Sequence, residues 1–127
     1  MINLLGPYAE ILYAILRIAA GFLFACHGAQ KLFGVLGGEQ ASEPMMLLAG
    51  VIELVGGVLI ALGLLAAPAA FVASGQMAVA YLMQHAPQDV WPIVNTGELA
   101  LLYCVLFLYV ASRGAGRFSI DAARRGR

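Results

Sequence analysis

The chain has 127 residues, 62% of them hydrophobic and 11% charged, with seven basic residues balancing seven acidic ones. Soluble domains are near half apolar and a quarter charged, so this composition and the positive mean hydropathy exclude an ordinary soluble domain and point to a membrane protein. A net charge of zero gives nucleic acid no electrostatic footprint to recognise.

The length allows one domain, residues 1–127. In lipid its backbone can be satisfied only by helices or a closed barrel, and the segments lack the alternation of barrel strands. The first predicted span runs from Ala9 to Phe33, with Pro7 ahead of it and Gly34, Gly37 and Gly38 at its end. A cleaved signal peptide is the alternative, but no basic residue precedes Arg17 and the apolar run is longer than such peptides carry; it is read as a retained helix. Within "CHGAQKLF", His27 and Lys31 share one face a single turn apart. Arg17 lies about 21 Å from Lys31 along the same helix and is expected to play a structural part, snorkelling inward or pairing with Gln76.

The second span is expected over residues 45–65, with Ser42 as its cap and Pro44 at its start. "GVIELVGGVLIALG" carries Gly50, Gly56, Gly57 and Gly63, small residues that let helices approach closely. They mark this helix as the centre of the bundle or as a homodimer face. Glu53 stands about 12 Å in from its start. The Pro68 of "LLAAPAA" separates a third span, residues 69–85, which carries Gln76 halfway along and then Tyr81 and His85, four apart. Gln76 can hydrogen-bond across helices. "HAPQDVWP" connects it to a fourth span at 93–111, with Trp91 at interfacial depth and Glu98 about 9 Å in. The tail, 112–127, holds Arg113, Arg117, Arg124, Arg125 and Arg127, and such basic segments stay in the cytoplasm. The expectation is an all-α, four-helix transmembrane bundle with both termini cytoplasmic.

His27, Glu53 and Glu98 then share the outer half of three helices, with Lys31 and Tyr81 close by. A bare charge in hydrocarbon costs several kcal/mol, so these groups are expected to face an interior pocket. Packing alone explains buried ionisable residues in other bundles, and a lysine near a helix end can snorkel to headgroups. Cys26 and Cys104 have neither the spacing nor the partners of a metal or dithiol site. No dinucleotide, haem or iron–sulfur motif is evident. No cofactor is therefore assigned by motif.

Arg17, Gly21, "HGAQKL", "GVIELVGG", Met77, Glu98 and the tail "GAGRFSIDAA" together resemble the DoxX family over nearly the whole chain. The resemblance implies four transmembrane helices in a bacterial or archaeal cytoplasmic membrane. It also implies a link to membrane oxidoreductase complexes, among them a thiosulfate:quinone oxidoreductase, and to oxidative-stress responses. It marks Arg17, Lys31, Glu53 and Glu98 as pattern residues and Gly114, Gly116 and Asp121 as a tail motif. Ala115 stands where relatives commonly have proline and Phe118 where they often have tryptophan, and a paired-cysteine motif is missing. The missing cysteine pair counts against independent thiosulfate oxidation.

Three functions fit these residues. In the first, His27, Lys31, Glu53, Tyr81 and Glu98 bind a quinone head group for a complex whose soluble or membrane partner carries the redox centre. In the second, the chain is a non-catalytic membrane adaptor whose basic tail meets lipid or a partner. In the third, a dimer moves a small solute or protons.

Overall fold

The computed structural model describes residues 2–126; Arg127, one of the basic tail residues, lies outside them. Six α-helices succeed a 3-10 turn at Gly6–Tyr8: α1 Ala9–Phe33, α2 Pro44–Leu62, α3 Ala66–Ala80, α4 Pro92–Asn95, α5 Glu98–Arg113 and α6 Ile120–Arg125. A π-helical segment, Tyr81–His85, continues α3.

The four-helix transmembrane bundle expected from the sequence is not what forms. Among the described residues, three helical stretches are long and apolar enough to cross a membrane, namely Gly6–Phe33, Pro44–Leu62 and Ala66–His85. The stretch expected at 93–111 is broken at Thr96, whose backbone is left-handed (φ 62°). There the Asn95 side chain takes the Gly97 N–H at 2.8 Å. Beyond the break, α5 has 16 residues, about 24 Å at 1.5 Å per residue, short of a hydrocarbon core of about 30 Å. With three candidate spans, the even-number argument that put both termini in the cytoplasm falls as well. The start of α1 and the end of α5 are nonetheless neighbours: Tyr13 Oη donates to the Gly114 carbonyl at 2.6 Å and Arg113 pairs with Glu10 at 2.6 Å.

Local chemistry sets the helix ends. Gly34 (φ 67°) closes α1 in the left-handed region, its N–H on the Gln30 carbonyl. Gly63 (φ 70°) closes α2, with Gly63 N–H on the Ile60 carbonyl and Leu64 N–H on that of Leu59; these two bonds satisfy carbonyls the helix would otherwise leave bare. Pro44 sits at the first position of α2, but Glu43 rather than Ser42 precedes it as N-cap, and no side chain makes the cap bond. Pro68 falls inside the first turn of α3, where an N–H has no intrahelical partner to lose.

α1 packs most extensively on α2 and α3 on α5, with an α2–α3 seam joining the pairs. The α1–α2 contact is backbone to backbone. A Cβ added to Gly57 would stand 2.5 Å from both Ala25 N and Gly21 O, so the small residues of α2 are used against α1 within the chain. Gly63 serves the tail instead, where Ser119 packs against it. Phe24 lies 5.3 Å from Tyr103 and 4.8 Å from Phe107, centroid to centroid, in a core completed by Ile60, Ala70, Ala73 and Val110. Phe22, Leu23, Val55, Phe71, Val72 and Leu102 point outward. That apolar exterior suits contact with acyl chains, as expected of a multi-pass membrane protein.

Candidate functional site

Between α1, α2, α3 with its π segment, and the start of α5 lies a cavity of about 240 Å³. Its polar wall comes from His27, Lys31, Glu53, Gln76, Gln84, His85 and Tyr103; Phe24, Met46, Met77, Leu99 and Ala100 supply apolar surface.

Glu53 is the anchor. It is 1% exposed in the middle of a span, where an unpaired carboxylate would cost several kcal/mol. Lys31 Nζ resolves this by donating to both carboxylate oxygens, at 2.7 and 2.9 Å, while Gln76 Nε2 donates to Oε2 at 3.0 Å. The amide orientation of Gln76 is fixed by chemistry, because only its nitrogen can donate to a carboxylate. Lys31 has three N–H donors, of which Glu53 takes two, and its side chain keeps 24% exposure toward the cavity. The Ala41 N–H on the Lys31 carbonyl at 2.8 Å folds the loop back onto this end of α1 and holds the lysine in place.

His27 lies one turn from Lys31 with its ring edge-on to Tyr103, centroids 6.2 Å apart. His85 reaches the cavity from the π segment, with Nδ1 3.1 Å from the Asn95 carbonyl. Asn95, 0% exposed, donates through Nδ2 to Tyr81 Oη (3.1 Å) and the Asp89 carbonyl (3.0 Å). These bonds tie the π segment to the α4–α5 turn.

Of the residues expected to converge, His27, Lys31 and Glu53 line the cavity and Tyr81 and Glu98 do not. Tyr81 stands behind the wall and accepts from Asn95. Glu98 is exposed in the first turn of α5, where its charge complements the helix dipole. It lies five residues from Tyr103, about 140° round the helix, and so points away when Tyr103 points in. Arg17 neither snorkels nor meets Gln76. Its guanidinium, 1% exposed, donates to the carbonyls of Ile60, Ala61, Ala115 and Phe118. It thus locks the tail onto the C-terminal end of α2, where the dipole favours a cation.

Sequence reasoning does not pick out Tyr103 as a cavity residue, whereas His85, expected one turn beyond Tyr81 and facing either the interior or solvent, lines the cavity. The signal for Tyr103 is its spacing of four from Leu99 on one face of α5. Asp121 stands in the sequence only as part of the tail pattern, yet its carboxylate accepts from the N–H groups of Leu65 (2.9 Å) and Ala66 (3.1 Å) at the start of α3. Burial works to raise its pKa; the two backbone donors, with Arg124 and Arg125 nearby, outweigh that and hold it below the ordinary carboxylate value. Among the described residues no group of three or more metal-ligating side chains comes together.

Residues 12–86 match the family model described as DoxX. The chain is also 43% identical over 127 residues to an uncharacterized protein of Haemophilus influenzae, a match covering 94% of this chain and 95% of that relative. No solved structure matches.

Proposed function

The chain belongs to the DoxX family of small membrane proteins, and from that premise we propose that it is the membrane component of a quinone-linked oxidoreductase complex tied to oxidative stress, in a bacterial or archaeal cytoplasmic membrane. The observation that carries the reading is the cavity itself: a half-open pocket between the helices in which a polar cluster meets apolar walls from Phe24, Met77 and Leu99. Ligand sites combine such apolar lining with a few placed polar groups. A flat ring with carbonyl oxygens fits that chemistry. Lys31 offers its remaining N–H to one oxygen, and Tyr103 and His27 stand ready as donors to the ring's substituents. Glu53 holds Lys31 and Gln76 in place rather than touching the ligand. Electrons enter from a partner that carries the redox centre.

Purification from native membranes in mild detergent tests this. The reading expects extractable quinone together with a companion whose optical spectrum shows a redox centre. Glu53→Gln is expected to keep the companion and the yield but lose the quinone. A colourless preparation with a stoichiometric companion and no quinone would contradict it.

A second reading, a non-catalytic adaptor, is favoured by the exposure of Arg117, Arg124 and Arg125 on a tail that Arg17 and Asp121 hold against the body. It predicts that deleting the chain after Asp121 releases a partner; undiminished co-purification would reject it.

A further inference from the structure

We propose that His85 is the hydrogen-bond acceptor by which this cavity prefers the hydroxyl form of its ring ligand, a hydroquinone, over the carbonyl form; the inference rests on the proposed binding of a quinone-like ring. His85 Nδ1 lies 3.1 Å from the Asn95 carbonyl oxygen. A carbonyl oxygen can only accept, so Nδ1 carries the proton, and in the neutral ring Nε2 is left as a lone-pair acceptor.

The carbonyl that fixes this tautomer is itself immobilised. Asn95 is fully buried and its side chain is committed at three points, to Tyr81 Oη, the Asp89 carbonyl and the Gly97 N–H. Gly97 also makes room for the imidazole, because a Cβ there would come within 2.7 Å of His85 Cβ and 2.8 Å of its Cγ. The ring is therefore held at Nδ1, against a backbone position where a Cβ would collide with it.

His85 and Lys31 line the same cavity and offer opposite hydrogen-bonding character. Lys31 can only donate. A quinone, whose ring oxygens are both acceptors, satisfies Lys31 but sets an oxygen lone pair against that of Nε2. A hydroquinone accepts from Lys31 through one oxygen and donates to His85 through the other. The His27 imidazole and the Tyr103 hydroxyl, which make no hydrogen bond to the described residues, adapt to either form and do not discriminate.

The test is anaerobic calorimetry on the purified chain in lipid nanodiscs, titrated with a short-chain ubiquinone and with its reduced form. The reduced form is expected to bind about tenfold more tightly, the worth of one well-made hydrogen bond, and His85→Phe is expected to make the two affinities equal. Equal affinities in the wild type, or a preference that survives His85→Phe, would overturn the assignment of His85 while leaving the ring-ligand reading standing. Binding of neither form would overturn both. Should His85→Phe fail to fold, ¹⁵N spectra of the wild type decide, since the chain has only two histidines. An Nδ1-protonated His85 whose Nε2 resonance moves with the hydroquinone supports the proposal, and an Nε2-protonated ring overturns it.

Discussion

Lys31→Met separates an ion pair from mere proximity in this cavity. The substitution keeps a chain of similar length but removes two of the three hydrogen bonds on Glu53, which is 1% exposed. Stripping the partner from a buried charge costs about 3–5 kcal/mol. Glu53→Leu works differently. It leaves Lys31 partly exposed and able to turn toward the cavity, and its main penalty is the orphaned Gln76 amide, about 1–3 kcal/mol. With Glu53 already replaced, adding Lys31→Met has no charge to strand and is expected to cost under about 1 kcal/mol. The double-mutant cycle should therefore show a coupling of about 3 kcal/mol, at the upper end of what contacting residues give. Equilibrium unfolding in mixed micelles, monitored by circular dichroism, measures all four corners. Equal penalties for Lys31→Met in the two backgrounds would refute the pairing argument.

Gly57→Ala forces a Cβ to 2.5 Å from backbone atoms of α1 and is expected to destabilise by about 1–3 kcal/mol. Gly56→Ala, whose nearest neighbour would be the Phe24 ring at 4.0 Å, should be neutral or stabilising by up to about 1 kcal/mol; the same unfolding assay compares them. Arg17→Met strips the four carbonyls from their shared donor and should expose the tail, so that trypsin cuts at Arg117 at least about tenfold faster; an unchanged cleavage rate would contradict the tail-locking role. Arg17→Lys should restore protection only in part, because one ammonium cannot reproduce the guanidinium fork. Asp121 has a folded-state pKa below its ordinary value of 3.8, so its stabilising effect is fully present above that pH and is lost as acidity carries it down through the folded value. Hydrogen exchange at the Leu65 and Ala66 amides should accelerate over that acidic window in the wild type and be pH-independent there, beyond the intrinsic rate, in Asp121→Asn.

Much of the molecule is legible locally. The membrane class comes from composition, and α1 occupies the 9–33 range that Pro7 and Gly34 bracket, because proline and left-handed glycine act within a turn. The depth of Glu53 and its need for a partner come from the cost of a bare carboxylate in lipid. The features hidden in the sequence are tertiary. The break at Thr96 depends on an Asn95 side chain held by Tyr81 and the Asp89 carbonyl, so the apolar run at 93–111 looks continuous until those bonds are known. Arg17 finds acceptors at Ala115 and Phe118, about a hundred residues away, where no helical period reaches. Glu98 opens α5 instead of lying 9 Å inside a longer span, and it points away from the cavity, because only packing fixes which side of α5 faces inward.

Photo-cross-linking with an azidoquinone in native membranes tests the central claim most directly. Adducts on peptides carrying His27, Lys31 or Tyr103, suppressed by excess unlabelled quinone and by Glu53→Gln, are the predicted result. Labelling confined to the apolar outer groove lined by Val51, Val55, Leu59 and Val72, and insensitive to Glu53, would contradict it.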